Sequence, residues 1–367
     1  VEELIFVVPV NIYQADIQLA AVKHLRWMPG SVLVNDDEIL VEGWALSVWD
    51  AQDQMRFLIN GVDFDYVEWP ITSPDLLVPF GEIPSAGASR FRCRHRGRHS
   101  EDLFPDGFAR LNITGRFGEH RLSYRTAWYV ADPASERAMP SPSQIQRVIG
   151  TPDPQPFLFG GATIVKRFEQ LLLERFDRPL ASFRSILDWG CGAGRLTRYL
   201  SQLSPSVTGV DIDADNIAGC GETLPGVRFL RVDLMPRTAL PAAAFDLVVG
   251  LSVLTHLDEP VQDAWLAELQ RITCPQALLL LSVQGLAQMA LYRAPPERHL
   301  EAHYKGILDV GGNSQLNDVI EDHSYYRNVM HSHDYVMTRW AQWFDVLDVI
   351  EGIAGNQDLV LLRRRAD

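Results

Sequence analysis

Cysteine is scarce in this chain, and positive charge is outnumbered. Four cysteines, Cys93, Cys191, Cys220 and Cys274, stand far apart without a CxxC pair. That spacing excludes a dense disulfide framework, makes a structural zinc cluster a poor fit, and suits a reducing compartment. Lys and Arg number 33 against 47 Asp and Glu, a net charge of −14. So acidic a surface repels polyphosphate, which counts against nucleic acid as a general partner. The longest apolar run, around Ala277 to Val283, falls far short of the ~20 residues that a membrane span requires. The opening residues Val1-Glu2-Glu3-Leu4 hold no basic segment leading into an apolar one, so no signal peptide is read there and a cytoplasmic location is expected.

What is present suits a folded chain of two domains: 367 residues, 47% of them hydrophobic. Residues 1–132 read as a β-sandwich. Val41 to Trp49 and Met55 to Ile59 are strand candidates, the second closed by the turn pair Asn60-Gly61. Phe91 to His95, Phe108 to Ile113 and Leu122 to Val130 continue the series of short strands. Residues 133–159 read as a linker, because Pro133, Pro140, Pro142, Pro152 and Pro154 fall there and no amphipathic period is sustained.

From about residue 160 onward, helix and strand patterns alternate. Ile164, Phe168, Leu171, Leu172 and Phe176 form an apolar stripe at helical spacing. Strand candidates follow at 185–188, 207–211, 245–249 and 277–283, and Asp258-Glu259-Pro260 opens a helix whose apolar face runs from Leu257 to Ile272. The alternation implies a mainly parallel sheet covered on both faces.

The strongest local signal is Ile186-Leu187-Asp188-Trp189-Gly190-Cys191-Gly192-Ala193-Gly194-Arg195. A strand ends in an acid and three alternate glycines turn the chain toward a helix, a geometry that lets a ligand lie on bare backbone. A dinucleotide fingerprint would require glycine where Arg195 stands. The spacing resembles the first motif of class I S-adenosylmethionine (SAM)-dependent methyltransferases. Downstream residues fall in the same family's order: Asp211 ends the second strand, Asp233 and Leu234 end the third, and Leu251, Ser252 and His256 follow the fourth. The resemblance covers about residues 140 to 365. It departs from the family at Cys274-Pro275-Gln276-Ala277, where a Lys-Pro-Gly-Gly turn is usual. Its nearest flavour is the bacterial group associated with glycans and secondary metabolites.

The resemblance implies a Rossmann-like α/β fold with a mostly parallel seven-stranded sheet and a C-terminal antiparallel hairpin, here preceded by the smaller all-β domain. It implies SAM as cofactor, released as S-adenosylhomocysteine, with no metal. Asp188, Gly190, Cys191, Gly192, Gly194, Asp211, Ile212, Asp233, Leu234, Leu251 and Ser252 are the expected cofactor residues. The expected acceptor is a hydroxyl of a sugar, glycan or other small metabolite; a SAM-binding sensor or scaffold without turnover is the competing reading. Base amino methylation is disfavoured, since Leu251-Ser252-Val253-Leu254 replaces the Asn/Asp-Pro-Pro-aromatic motif.

A hydroxyl acceptor calls for a base, and His256 is the first candidate because histidine titrates near neutral pH. Residues 285–333 form an insertion, expected to be a lid, that holds His299, His303, His323, His331 and His333 with Tyr304, Tyr325 and Tyr326. His331 and His333 are further base candidates. In the first domain Arg90, Arg92, Arg94, Arg96 and Arg98 recur at strand period two. They form either a solvated stripe or a site for an anionic acceptor. Trp44 and Trp49 are expected in the core of that domain.

Overall fold

The structure, a computed structural model, describes residues 25–34, 38–47, 55–81, 83–96, 103–117, 120–123, 127–135, 137–236, 238–285, 288–289 and 296–366. Trp49 and Arg98 lie outside the described residues. The chain divides into two compact units. One comprises the described residues between 25 and 135 with 153–166, and the other the described residues of 137–152 and 167–366.

The first unit is built from β1 (Leu25–Val34), β2 (Glu38–Ser47), β3 (Met55–Ile59), β4 (Val62–Asp63), β5 (Tyr66–Ile71), β6 (Arg90–Arg96), β7 (Phe108–Leu111), β8 (Ile113–Phe117), β9 (His120–Ser123) and β10 (Trp128–Ala131). Two four-stranded sheets form, in the orders β1-β2-β6-β5 and β4-β3-β8-β9, with β10 paired to β7. All their pairings are antiparallel. Alternation explains why: in β3 Met55, Phe57 and Ile59 are buried while Arg56 is exposed. Val41, Phe91, Phe57 and Ile113, drawn from both sheets, share one hydrophobic cluster. Phe57 and Phe91 meet at 4.2 Å between ring centroids. Trp44 sits apart from that cluster, packed on Phe80 in a smaller one with Leu46, Leu76 and Ile83.

Two arginines of the stripe are paired with acids. Arg90 pairs with Asp75 at 2.6 Å, and Arg92 with Glu42 at 2.6 Å and Glu68 at 3.1 Å. Arg94 lies over the Tyr66 ring, 5.9 Å from its centroid. Neighbouring strands β2 and β5 thus bring acids beside β6 at Arg92, which is what a solvated, paired stripe would show at that position.

The second unit holds β11 (Ile186–Trp189), β12 (Val207–Asp211), β13 (Arg228–Arg231), β14 (Phe245–Gly250), β15 (Thr273–Val283), β16 (Ile307–Gly312), β17 (Arg327–His331), β18 (Asp345–Ala354) and β19 (Gln357–Arg363). Seven of these form a sheet in the order β13-β12-β11-β14-β15-β19-β18. β11 to β15 run parallel, and β19 is antiparallel to both of its neighbours. The parallel strands are what the alternating pattern implied, and the Rossmann-like order with a terminal hairpin is what the family resemblance implied. Every residue of β11 and β14 is buried, as expected for central strands covered on both faces. The strand order reverses between β11 and β14, which opens a crevice at their carboxyl ends.

Two local features depart from expectation. The proline-rich stretch carries a helix, Pro142–Ile149, with a complete capping box between Ser141 and Gln144, and Gly150 ends it in the left-handed conformation. A second helix, Pro154–Phe176, begins within the same stretch. Proline there marks helix starts, where its missing N–H costs nothing. At Cys274-Pro275-Gln276-Ala277, Gln276 takes φ 64°, the left-handed geometry that glycine usually supplies. The turn persists although the glycine does not.

Candidate active site

The crevice is a cleft whose floor is the loop after β11. Gly190, Gly192 and Gly194 have φ of 73°, 52° and 77°. A Cβ at 190 would stand 2.3 Å from Val253 Cγ2, and one at 192 would stand 2.9 Å from Val148. Glycine is therefore required there for both conformation and space. Gly190 and Cys191 donate their N–H groups to the Val210 carbonyl at 2.8 and 3.0 Å, tying the loop to β12.

Asp211, at the end of β12, accepts from Gly192 N at 2.7 Å and from Asp213 N at 2.9 Å. Burial pushes its carboxyl up to about 6, against those bonds. Asp188 accepts from the Thr197 hydroxyl at 2.5 Å, and burial raises it to about 6 as well. A raised folded-state value means the native protein binds more protons than the unfolded one between pH 3.8 and about 6. These acids thus cost the fold stability as pH climbs through that window. Two acids kept in a cleft at such cost are a functional signature.

Ser252 closes the opposite wall. Its φ is 61°, and its N–H donates to Ser282 Oγ at 2.7 Å. Gln357 donates to Ser252 Oγ at 2.9 Å and accepts from Ser282 Oγ at 2.7 Å. Two side chains, Ser282 from β15 and Gln357 from β19, thereby hold one strained residue at the cleft edge.

Of the expected cofactor residues, Asp188, Gly190, Cys191, Gly192, Asp211, Ile212, Leu251 and Ser252 line the cleft. Three do not. Gly194 faces Leu224 and Cys220 instead. Asp233 is exposed, and Val232 lines the cleft in its place. Leu234 offers its carbonyl to Trp265 Nε1 at 3.1 Å and to the Tyr325 hydroxyl. The period-two geometry of an extended chain explains the shift, since side chains one residue apart point opposite ways.

The histidines separate clearly. His256 lines the cleft. Its Nδ1 lies 2.8 Å from the Arg327 carbonyl, which can only accept, so Nδ1 carries the proton and Nε2 the lone pair. Burial lowers its pKa from 6.5, partly opposed by that bond, which keeps the ring neutral at pH 7. The Tyr326 ring stacks on it, 4.1 Å between centroids. His331 is buried, bonded to Gln262 at 3.0 Å and pulled down to about 3 by burial. His333 is bonded to the buried Asp358 at 2.9 Å. Neither His331 nor His333 lines the cleft, which removes the geometric ground for either as base. Tyr304 is exposed. Among the described residues no group of His, Cys, Asp or Glu is arranged to hold a metal ion. No helix among them is long and apolar enough to cross a membrane.

Several cleft residues escape a sequence reading. Arg147 and Val148 come from the helix in the proline-rich stretch, and Gln315, Leu316, Tyr325 and Tyr326 from the insertion. Arg147 donates to Asp213 at 2.5 Å and to Asp318 at 3.3 Å, while Gln315 donates to the Arg147 carbonyl at 2.5 Å. One side chain thus joins the capped helix, the turn after β12 and the insertion. The capping box is the only sequence signal that announces this helix. Arg195 also lines the cleft.

Sheet order, glycine loop and paired acids are those that the resemblance to class I SAM-dependent methyltransferases implied for the region of β11 to β15. Residues 186–276 match the family model described as a methyltransferase domain. Among curated relatives, the chain is 31% identical over 150 residues to a malonyl-[acyl-carrier protein] O-methyltransferase of Halalkalibacterium halodurans, covering 39% of this chain and 54% of that protein. It is 33% identical over 107 residues to a trans-aconitate 2-methyltransferase of Azoarcus sp., covering 29% and 41%. The chain thus spans about half the length of the curated relatives it matches. A solved SAM-dependent methyltransferase from Mesorhizobium loti is 17% identical, with TM-score 0.37 over 49% of this chain and 90% of that one.

Proposed function

We propose that this chain is a SAM-dependent O-methyltransferase acting on a small-molecule acceptor, with a hydroxyl of a sugar or related metabolite as the methylated group. The sulfonium cofactor supplies an activated methyl and its own leaving group, so the chain's residues have only to bind, align and take a proton. The glycine loop offers bare backbone to the aminoacyl end. Asp211 accepts from the ribose hydroxyls, and Val232, Ile212 and Leu251 offer apolar surface to the base. The all-β unit reads as a sandwich-type accessory domain.

The observation that carries the hydroxyl reading is the fixed tautomer of His256. With Nδ1–H committed to Arg327, Nε2 is the basic nitrogen of a ring that lines the cleft and stays neutral at pH 7. The names of the malonyl and trans-aconitate relatives favour a second reading, a carboxylate acceptor, which needs no base. His256→Ala separates the two. S-adenosylhomocysteine release is followed over a broad panel of hydroxyl and carboxylate acceptors, with homocysteine-nucleotide affinity measured alongside. The hydroxyl reading expects kcat to drop about 10²- to 10⁴-fold with nucleotide affinity preserved. It also expects wild-type rate to fall only below pH 6.5, where the ring protonates. A full-rate variant on a carboxylate acceptor would favour the second reading, and no turnover with any acceptor would favour a sensor.

A further inference from the structure

The glycine loop ends in a cation without an anion. Arg195 follows Gly194, lines the cleft and is partly buried. Among the described residues no hydrogen bond or ion pair engages its guanidinium. The nearest opposing charge that acts on it is Asp188, which stands beyond ion-pair distance and bonds Thr197 instead. Burial without a partner pulls the guanidinium down to about 10. Other buried arginines of this domain are tied: Arg147 to two aspartates and Arg198 to the Ala138 carbonyl. A partly buried guanidinium facing a cleft is left available to a ligand anion, and its planar fork matches a carboxylate.

The cleft lining therefore offers an acid and a guanidinium close enough to feel each other's charge but not bonded to each other. That arrangement complements an α-amino acid zwitterion, the group at the methionyl end of the sulfonium nucleotide. We propose that Arg195 binds the α-carboxylate of that methionyl end. The inference rests on the nucleotide site proposed above and adds to it the residue that reads the amino acid half. An acidic acceptor could offer a carboxylate too, but Arg195 belongs to the loop and helix start that carry Gly190 and Gly192, on the side of Asp188.

The test compares two ligands by titration calorimetry on the full chain. S-adenosylhomocysteine carries the amino acid end; 5′-methylthioadenosine is the same adenosine thioether without it. Arg195→Ala should weaken S-adenosylhomocysteine by about 10- to 100-fold, the scale of one charge-assisted bidentate contact, and leave methylthioadenosine within about twofold. Arg195→Lys should recover part of the loss through its point charge, and it carries the test if the alanine variant does not fold. Unchanged S-adenosylhomocysteine affinity would overturn the inference and return the carboxylate to the acceptor. Equal weakening of both ligands would also overturn it, because the effect would then be one of folding. Wild-type protein that binds neither ligand overturns the nucleotide site itself. Wild-type protein that binds both equally overturns this inference alone.

Discussion

The two units treat charge in opposite ways. In the all-β unit Arg90 and Arg92 lie along a strand beside Asp75, Glu42 and Glu68, half-exposed and paired. In the α/β unit, Asp188, Asp211 and Arg195 are partly or fully withdrawn from water, with shifted pKa values and, among the described residues, no side chain of opposite charge within ion-pair distance. A row of five arginines draws the eye in the sequence, yet the chemistry lies where fewer charges are left uncompensated. Pairing at a surface contributes little and leaves nothing for a ligand. Isolation in a cleft is costly, and a ligand can offset that cost.

Three substitutions would break or sharpen this contrast. Gly190→Ala carries the largest expected effect, because the new Cβ meets Val253 at 2.3 Å on a backbone at φ 73°. S-adenosylhomocysteine affinity should fall more than about 100-fold as the loop shifts, and preserved affinity in calorimetry would show that the loop does not touch the nucleotide. Asp211→Ala should weaken the same ligand by about 10- to 100-fold through lost ribose bonds. Wild-type affinity should also decline as pH drops through about 6, where Asp211 and Asp188 take up protons, and the variant should show a smaller limb, left by Asp188 alone. An unaltered pH profile would remove Asp211 from the site. Arg92→Ser is the control from the other unit. It should cost at most about 1 kcal/mol in chemical denaturation and leave nucleotide affinity unchanged. A large loss of acceptor affinity there would restore the anion-site reading of the stripe.

The legible parts of the molecule were those governed by local rules. The strands β11, β12, β14 and β15 announce themselves because most of their residues are buried on both faces, which leaves short apolar runs such as Leu247 to Val249 and Ala277 to Leu281. The glycine loop and Asp211 were readable because tight turns and close backbone approach admit few residues. Asp258 caps the helix Glu259–Ile272 through a bond to Val261 N, as its sequence Asp-Glu-Pro suggested.

What escaped depends on partners distant in sequence. The Arg92 stripe looked open because Glu42 is 50 residues away and arrives only through strand pairing. His331 looked available until Gln262, 69 residues off, closed it. The eight-residue helix Pro142–Ile149 is too short to hold itself and too proline-rich to be noticed; its caps and the Arg147 contacts support it. Gln276 shows the converse, a lost glycine whose geometry the surrounding strands still impose.

The central claim is that the loop after β11 and the acid closing β12 together hold a SAM-type nucleotide. Titration of the full chain with S-adenosylhomocysteine tests it most directly. One saturable site per chain, weakened by Gly190→Ala and Asp211→Ala but not by Arg92→Ser, is the predicted result. Absence of any binding heat with folded wild-type protein, or binding indifferent to both cleft substitutions, would contradict it.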